Sequence, residues 1–163
     1  MKAAEQKVAD LINAFRRNKG RPKLVLDERL SAVCRKYSEE RAAGKQSPDG
    51  YNHYLDRIAE PNVPHGMASE VVGQVSADKP DPATEVVNVW LDEQRERNAG
   101  LFQTTAQEIG RSSHNAIGVG AAKSADGKVF FSVLLFEEDD PSKAGSSASS
   151  SPAAADSVLS PSP

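Results

Sequence analysis

AIGVGAAKSADGKVFFSVLLF, residues 116–136, is the stretch whose reading decides the fold. Its second half is apolar on both sides of an extended chain: Val129, Phe131, Val133 and Leu135 fall on one side, Phe130, Leu134 and Phe136 on the other. A strand of that kind has to be covered twice, so 128–137 is expected at the centre of a sheet with helices on both faces. Residues 116–122 read as its partner strand, joined to it through Asp126-Gly127, a dipeptide suited to a two-residue type I′ hairpin turn. In that partner Ile117 and Val119 alternate with Gly118 and Gly120, and glycines on one face of a strand let another backbone or a ligand come close.

The covering helices are legible upstream. Val8, Leu11, Ile12 and Phe15 recur at helical spacing and predict an amphipathic helix over about 3–17, ended by Gly20 and Pro22. Leu30, Val33, Cys34 and Tyr37 mark a second helix, with Asp27 as its N-cap and Gly44 just past its end. Asp81-Pro82 is an N-cap and first-turn pair that opens a third, carrying Val86, Val87, Val89, Trp90 and Leu91 and reaching about Gly100. Between the second and third, residues 45–79 hold six prolines and glycines, Pro48, Gly50, Pro61, Pro64, Gly66 and Gly73, and are expected to form only short helical turns such as 54–59. Pro141 to Pro163 is rich in Ser, Ala and Pro, cannot offset its ordering entropy by burial, and is expected to be a disordered tail behind a single domain of residues 1–140.

Composition excludes several function classes. Twenty basic and 23 acidic side chains leave a formal net charge of −3, which gives nucleic acid no broad cationic surface to hold. The run Arg16, Arg17, Lys19, Arg21 and Lys23 is locally basic but lacks aromatics for base stacking, and reads as a solvated helix end. No segment is long and apolar enough for a membrane helix, and residues 1–10 have no apolar leader run. Cys34 has no second cysteine to pair with and lies on an apolar stripe, so it reads as a small buried hydrophobe. Trp90, among valines and leucine, reads as a core side chain.

The order of these elements brings out a likeness. The segment VADLINAFRRNKGRPKLVLDERLSAVCRKYSEERAAGK resembles the opening helix, turn and second helix of the CAP superfamily, in its bacterial SCP-like branch. SPDGYNHYLDRI, EVVNVWLDEQRERNAG and AIGVGAAKSADGKVFFSVLLF are similar to three later segments of that family, and together the matches span about residues 5–136. The resemblance implies a three-layer α/β/α sandwich, with a small antiparallel sheet covered by helices on both faces. It also implies a cleft where two histidines and two glutamates gather, a set suited to a divalent cation such as zinc.

Carried over residue by residue, that set is largely replaced. Lys45 stands at the first histidine position and Glu96 at the second, while Glu70 matches one glutamate, preceded by Ser69 in place of a glycine. Arg97 follows Glu96 as arginine follows the family's second histidine. Glu70, Glu96, His53, Lys45, Ser69 and Arg97 are therefore the candidate cleft residues, with no metal or other cofactor expected and His53 as a possible substitute ligand. The plainer reading makes Asp92, Glu93, Glu96 and Arg97 a solvated helix face, with Glu93 and Arg97 paired at i,i+4. His53 and His65 then make loop contacts, and His114 opens a strand.

Two functions of different class follow. One is a non-enzymatic binding module for a lipid, peptide or protein partner, expected as a monomer. The other is a metal-dependent hydrolase in which Glu70 or Glu96 is the general base, which requires ligands this chain lacks. A structural or decoy domain without ligand fits the same substitutions. The resemblance implies an extracellular or cell-surface protein, whereas residues 1–10, without a leader run, leave a cytoplasmic location open as the alternative.

Overall fold

The computed structural model describes residues 1–45, 57 and 62–140. In chain order its elements are α1 (Lys2–Asn18), β1 (Val25–Leu26), α2 (Glu28–Ala42), β2 (His65–Ser76), α3 (Pro82–Trp90), α4 (Glu93–Asn98), α5 (Thr105–Ile109), β3 (Ala116–Lys123) and β4 (Lys128–Glu138). The strands form one sheet in the order β1-β3-β4-β2. β3 and β2 flank β4 antiparallel, and the two-residue β1 adds a parallel edge to β3.

The doubly apolar β4 divides the core as its alternation requires. Val129, Phe131, Val133 and Leu135 enter one cluster with Val8 and Ile12 of α1, Val86 and Trp90 of α3, and Ile109 of α5. Leu134 and Phe136 enter a second cluster with Leu30 and Cys34 of α2. Each fully buried large side chain of this kind contributes roughly 1.5–3 kcal/mol relative to exposure. Burial also pushes the Cys34 thiol up to about 12, which keeps it protonated and unreactive.

The glycines of β3 are explained by this packing. A Cβ at Gly118 or Gly120 would overlap the α2 backbone at Leu30 and Cys34–Arg35, so the close approach is made by a helix. Where β1 stops, β3 would be left with unpaired N–H groups, and helix side chains take over: Val119 N–H donates to Ser31 Oγ at 3.0 Å and Ala121 N–H to Glu5 Oε2 at 3.0 Å. Glu5 is itself held by Arg35 at 2.8 Å.

Three local expectations are corrected. β2 is a strand of 12 residues inside the segment expected to hold only turns. Gly73 does not break it; a Cβ there would lie 2.7 Å from Val86 Cγ2 and 2.9 Å from Trp90 Nε1, so glycine lets α3 settle onto the strand. Trp90 then donates to the Val72 carbonyl at 3.0 Å. The helical turn expected at 54–59 lies, apart from Arg57, outside the described residues, as does the tail from 141 onward.

The helix expected to run unbroken from Pro82 to Gly100 is two helices, because Asp92 leaves helical geometry and its side chain accepts from Arg95 N–H at 3.1 Å, capping α4. The hairpin forms where expected, but its turn spans Ser124 to Gly127, closed by Gly127 N–H to the Ser124 carbonyl at 3.2 Å. Gly127 has φ +88 and Asp126 does not share a positive φ, so the type I′ geometry, which needs both, is replaced by a longer loop.

Candidate functional site

Side chains of a strand alternate between faces, and in β2 this separates Ser69 from Glu70. Glu70 is paired across the ladder with Leu134, which faces α2. Its half-buried carboxylate accepts from Arg57, whose guanidinium carbon lies 3.5 Å from the centre of the Tyr37 ring of α2. Ser69 points to the opposite face. Its hydroxyl donates to Glu108 Oε1 of α5 at 2.6 Å and lies 3.1 Å from His114 Nε2.

The Ser69 network determines its own protonation. With its proton committed to Glu108, Ser69 Oγ accepts from His114, so the imidazole carries its hydrogen on Nε2. Nδ1 is buried without a hydrogen-bond partner among the described residues. A second proton would sit there with no acceptor. Burial, together with the nearby Arg16 and Arg111 cations, accordingly lowers the His114 pKa to about 4. Glu108 is held below the usual carboxylate range mainly by Arg111, which grips it through Nε at 3.0 Å and Nη2 at 2.8 Å.

Arg16 supports this loop from beneath. It was expected on a solvated helix end, yet it is fully buried. Its guanidinium donates to the carbonyls of Pro22 (3.0 Å), Ile109 (2.8 Å), Arg111 (2.8 Å) and His114 (3.1 Å), tying α1 to the chain between α5 and β3.

The other candidates are dispersed. Glu96 is buried, and neither a solvated face nor a partnership with Glu70 describes it: its carboxylate accepts from Thr105 N–H at 2.6 Å and Thr105 Oγ1 at 2.7 Å, tethering α4 to the first turn of α5. Thr104 and Gln107 complete that turn as a capping box. Arg97 is exposed and donates to Glu93 at 2.9 Å, the i,i+4 pair expected from spacing. Lys45 is exposed just past α2. His53 lies outside the described residues. His65 Nδ1 lies 2.8 Å from the Val63 carbonyl, and its ring packs on Phe136.

These donors do not fit the divalent cation that the resemblance implies. Glu70 is engaged by a guanidinium, Glu96 by a helix terminus, and Lys45 is itself a cation. Among the described residues no three His, Cys, Asp or Glu side chains are grouped so as to hold a metal ion, and no helix is long and apolar enough to cross a membrane.

Sequence reasoning missed Arg57, Glu108 and Arg111. Arg57 lay within the matched segment SPDGYNHYLDRI, whose arginine was the available signal. Glu108 and Arg111 belong to α5, a five-residue helix too short for periodicity but announced by the Thr104…Gln107 capping box.

The fold is shared with solved structures at low identity. An outer surface protein of Borrelia burgdorferi superimposes with TM-score 0.62 at 18% identity, covering 85% of this chain and 95% of that one. A cysteine-rich secretory protein of Staphylococcus aureus gives TM-score 0.59 at 13% identity over 83% of this chain, which spans only 39% of that longer protein. Venom allergen-like protein 4 of Schistosoma mansoni gives 0.56 at 11% identity, over 85% of this chain and 90% of that one. No curated protein sequence is a significant match. The family model of the cysteine-rich secretory proteins matches residues 9–136, from the middle of α1 to the end of the apolar run in β4, and the chain belongs to that CAP family.

Proposed function

We propose that this chain is a non-enzymatic CAP-type binding module in which Glu70, at a family glutamate position, and Glu96, at a family histidine position, serve as structural ties. CAP proteins are generally not enzymes. The observation that carries the reading is the Arg57–Glu70 ion pair, stacked on Tyr37. A carboxylate gripped by a guanidinium is a poor cation ligand and a poor general base, because both roles need its lone pairs and a raised affinity for positive charge. Glu96, spent on Thr105, supports the same conclusion. An extracellular or surface location is part of the proposal, since solved relatives include an outer surface protein and an extracellular protein of Bacillus anthracis.

Zinc titration at neutral pH, followed by calorimetry, tests the reading. No stoichiometric binding is expected. A one-to-one isotherm of micromolar or tighter affinity, abolished by Glu70→Ala, would overturn it and restore a metal-dependent activity to consideration.

A further inference from the structure

A groove of about 510 Å³ lies between the C-terminal end of α1 and the α5 region, and Phe15, Lys19, Arg21, Glu93 and Arg111 are among the residues that line it. Its volume is that of a small-molecule site, roughly 300–1,000 Å³. We propose that it binds a soluble small molecule carrying a phosphate or sulfate group on a compact apolar body. This rests on the binding-module reading and gives it a ligand class.

The charge balance is the first support. Three cations line the groove, Lys19, Arg21 and Arg111, against one carboxylate, Glu93. Glu93 is matched by Arg97, and Arg111 by Glu108. Lys19 and Arg21 contact no carboxylate among the described residues: Lys19 lies over the Phe15 ring at 5.6 Å, and Arg21 Nε donates to the Gly110 carbonyl at 2.8 Å. The buried Arg16 is met by four carbonyls and by no carboxylate among the described residues. Positive charge is thus concentrated here in a chain whose formal net charge is −3.

The C-terminal dipole of α1 favours Lys19 and Arg21, and the third cation, Arg111, is brought to the same groove from the chain just past α5. The carbonyls of Phe15, Arg16 and Arg17 in the last turn of α1 are met by the backbone N–H groups of Lys19, Gly20 and Arg21, which leaves the Lys19 and Arg21 side chains uninvolved in closing that turn. The second support is the mixed lining. The half-buried Phe15 gives an apolar surface, while Gln103, whose Oε1 accepts from Arg111 Nη2 at 3.3 Å, and Ser112 offer neutral polar groups. An oxyanion between Lys19, Arg21 and Arg111 would gain charge-assisted hydrogen bonds while its apolar body covers Phe15.

Phenyl phosphate is the probe, titrated into the full chain by calorimetry at low ionic strength. One-to-one saturable binding is expected, weakened by salt. Inorganic phosphate should bind about tenfold more weakly and phenol not detectably. The double variant Lys19→Gln/Arg21→Gln should lose at least about tenfold in affinity, the scale of one charge-assisted hydrogen bond, while its circular dichroism spectrum and a cooperative thermal melt are retained. Absence of saturable phenyl phosphate binding overturns the proposal, as does retention of affinity in the double variant. Sedimentation with phosphatidylcholine vesicles containing phosphatidylglycerol separates the lipid source: vesicle binding that depends on Lys19 and Arg21, without phenyl phosphate binding, also overturns it. The zinc titration is independent of all these outcomes, so the two readings can fail separately.

Discussion

Ser69 and Glu70 are adjacent in β2, yet they belong to different halves of the molecule. Glu70 faces α2 and is neutralised by one guanidinium on an aromatic ring. Ser69 faces α5 and joins a chain of contacts that runs through Glu108 and His114 to the buried Arg16. The difference teaches how an edge strand can separate residues that a motif places side by side. The α2 face holds one local, half-buried ion pair. The opposite face holds a network that runs from the part-exposed Glu108–Arg111 pair inward to the buried Ser69, His114 and Arg16, with His114 Nδ1 left without a partner among the described residues.

The largest effect should come from removing the support beneath the Ser69 side. Arg16→Met keeps most of the side-chain volume but leaves four carbonyls without their guanidinium. Relief of an uncompensated buried cation offsets part of the loss. Orphaned buried acceptors cost about 1–3 kcal/mol each, so a net loss of about 4 kcal/mol is expected in urea denaturation. A variant within about 1 kcal/mol of the parent would show that water replaces the guanidinium, and that the buried network is less dependent on Arg16 than its geometry implies.

The next effect separates the two faces by pH. His114 has its pKa lowered to about 4 in the folded chain, against about 6.5 when unfolded. The unfolded chain therefore takes up a proton first as pH falls. Stability from this group is complete above about 6.5 and is lost progressively toward 4, a decrease of about 3 kcal/mol. His114→Gln, whose amide can still donate to Ser69, should flatten the stability profile in that window relative to the parent. Identical slopes in the two proteins would mean that His114 is charged in the fold and that the unpartnered Nδ1 finds an acceptor.

The two faces were not equally legible in sequence. The division of the core was written in β4, because alternation of apolar residues on both sides has one structural solution. The helix starts at Asp27 and Asp81 were legible for the same reason, since a capping carboxylate acts within its own turn. What escaped was set by contacts distant in sequence. β2 was hidden because Gly73 reads as a breaker until Trp90 is known to pack on it, and Arg16 reads as a surface cation until the carbonyls of 109–114 surround it. Of the candidate residues, Glu93 with Arg97 followed from spacing alone. The engagement of Glu70 by Arg57, and of Glu96 by Thr105, depends on where separate elements meet.

The smallest expected quantity is the most direct test of the separation. Ser69→Ala leaves the His114 Nε2–H without its acceptor and should cost about 1–2 kcal/mol. Arg57→Gln leaves Glu70 without its guanidinium and should cost a similar amount, reduced from the fully buried case because Glu70 retains access to solvent. Adjacent residues ordinarily couple, often by more than 0.5 kcal/mol as a rough figure. Here Ser69 and the Arg57–Glu70 pair belong to opposite faces, so the double variant Ser69→Ala/Arg57→Gln should equal the sum of the singles to within about 0.5 kcal/mol in urea denaturation. A coupling energy above about 1 kcal/mol would mean that the strand transmits strain between its faces, and Ser69 and Glu70 would then have to be treated as parts of one site.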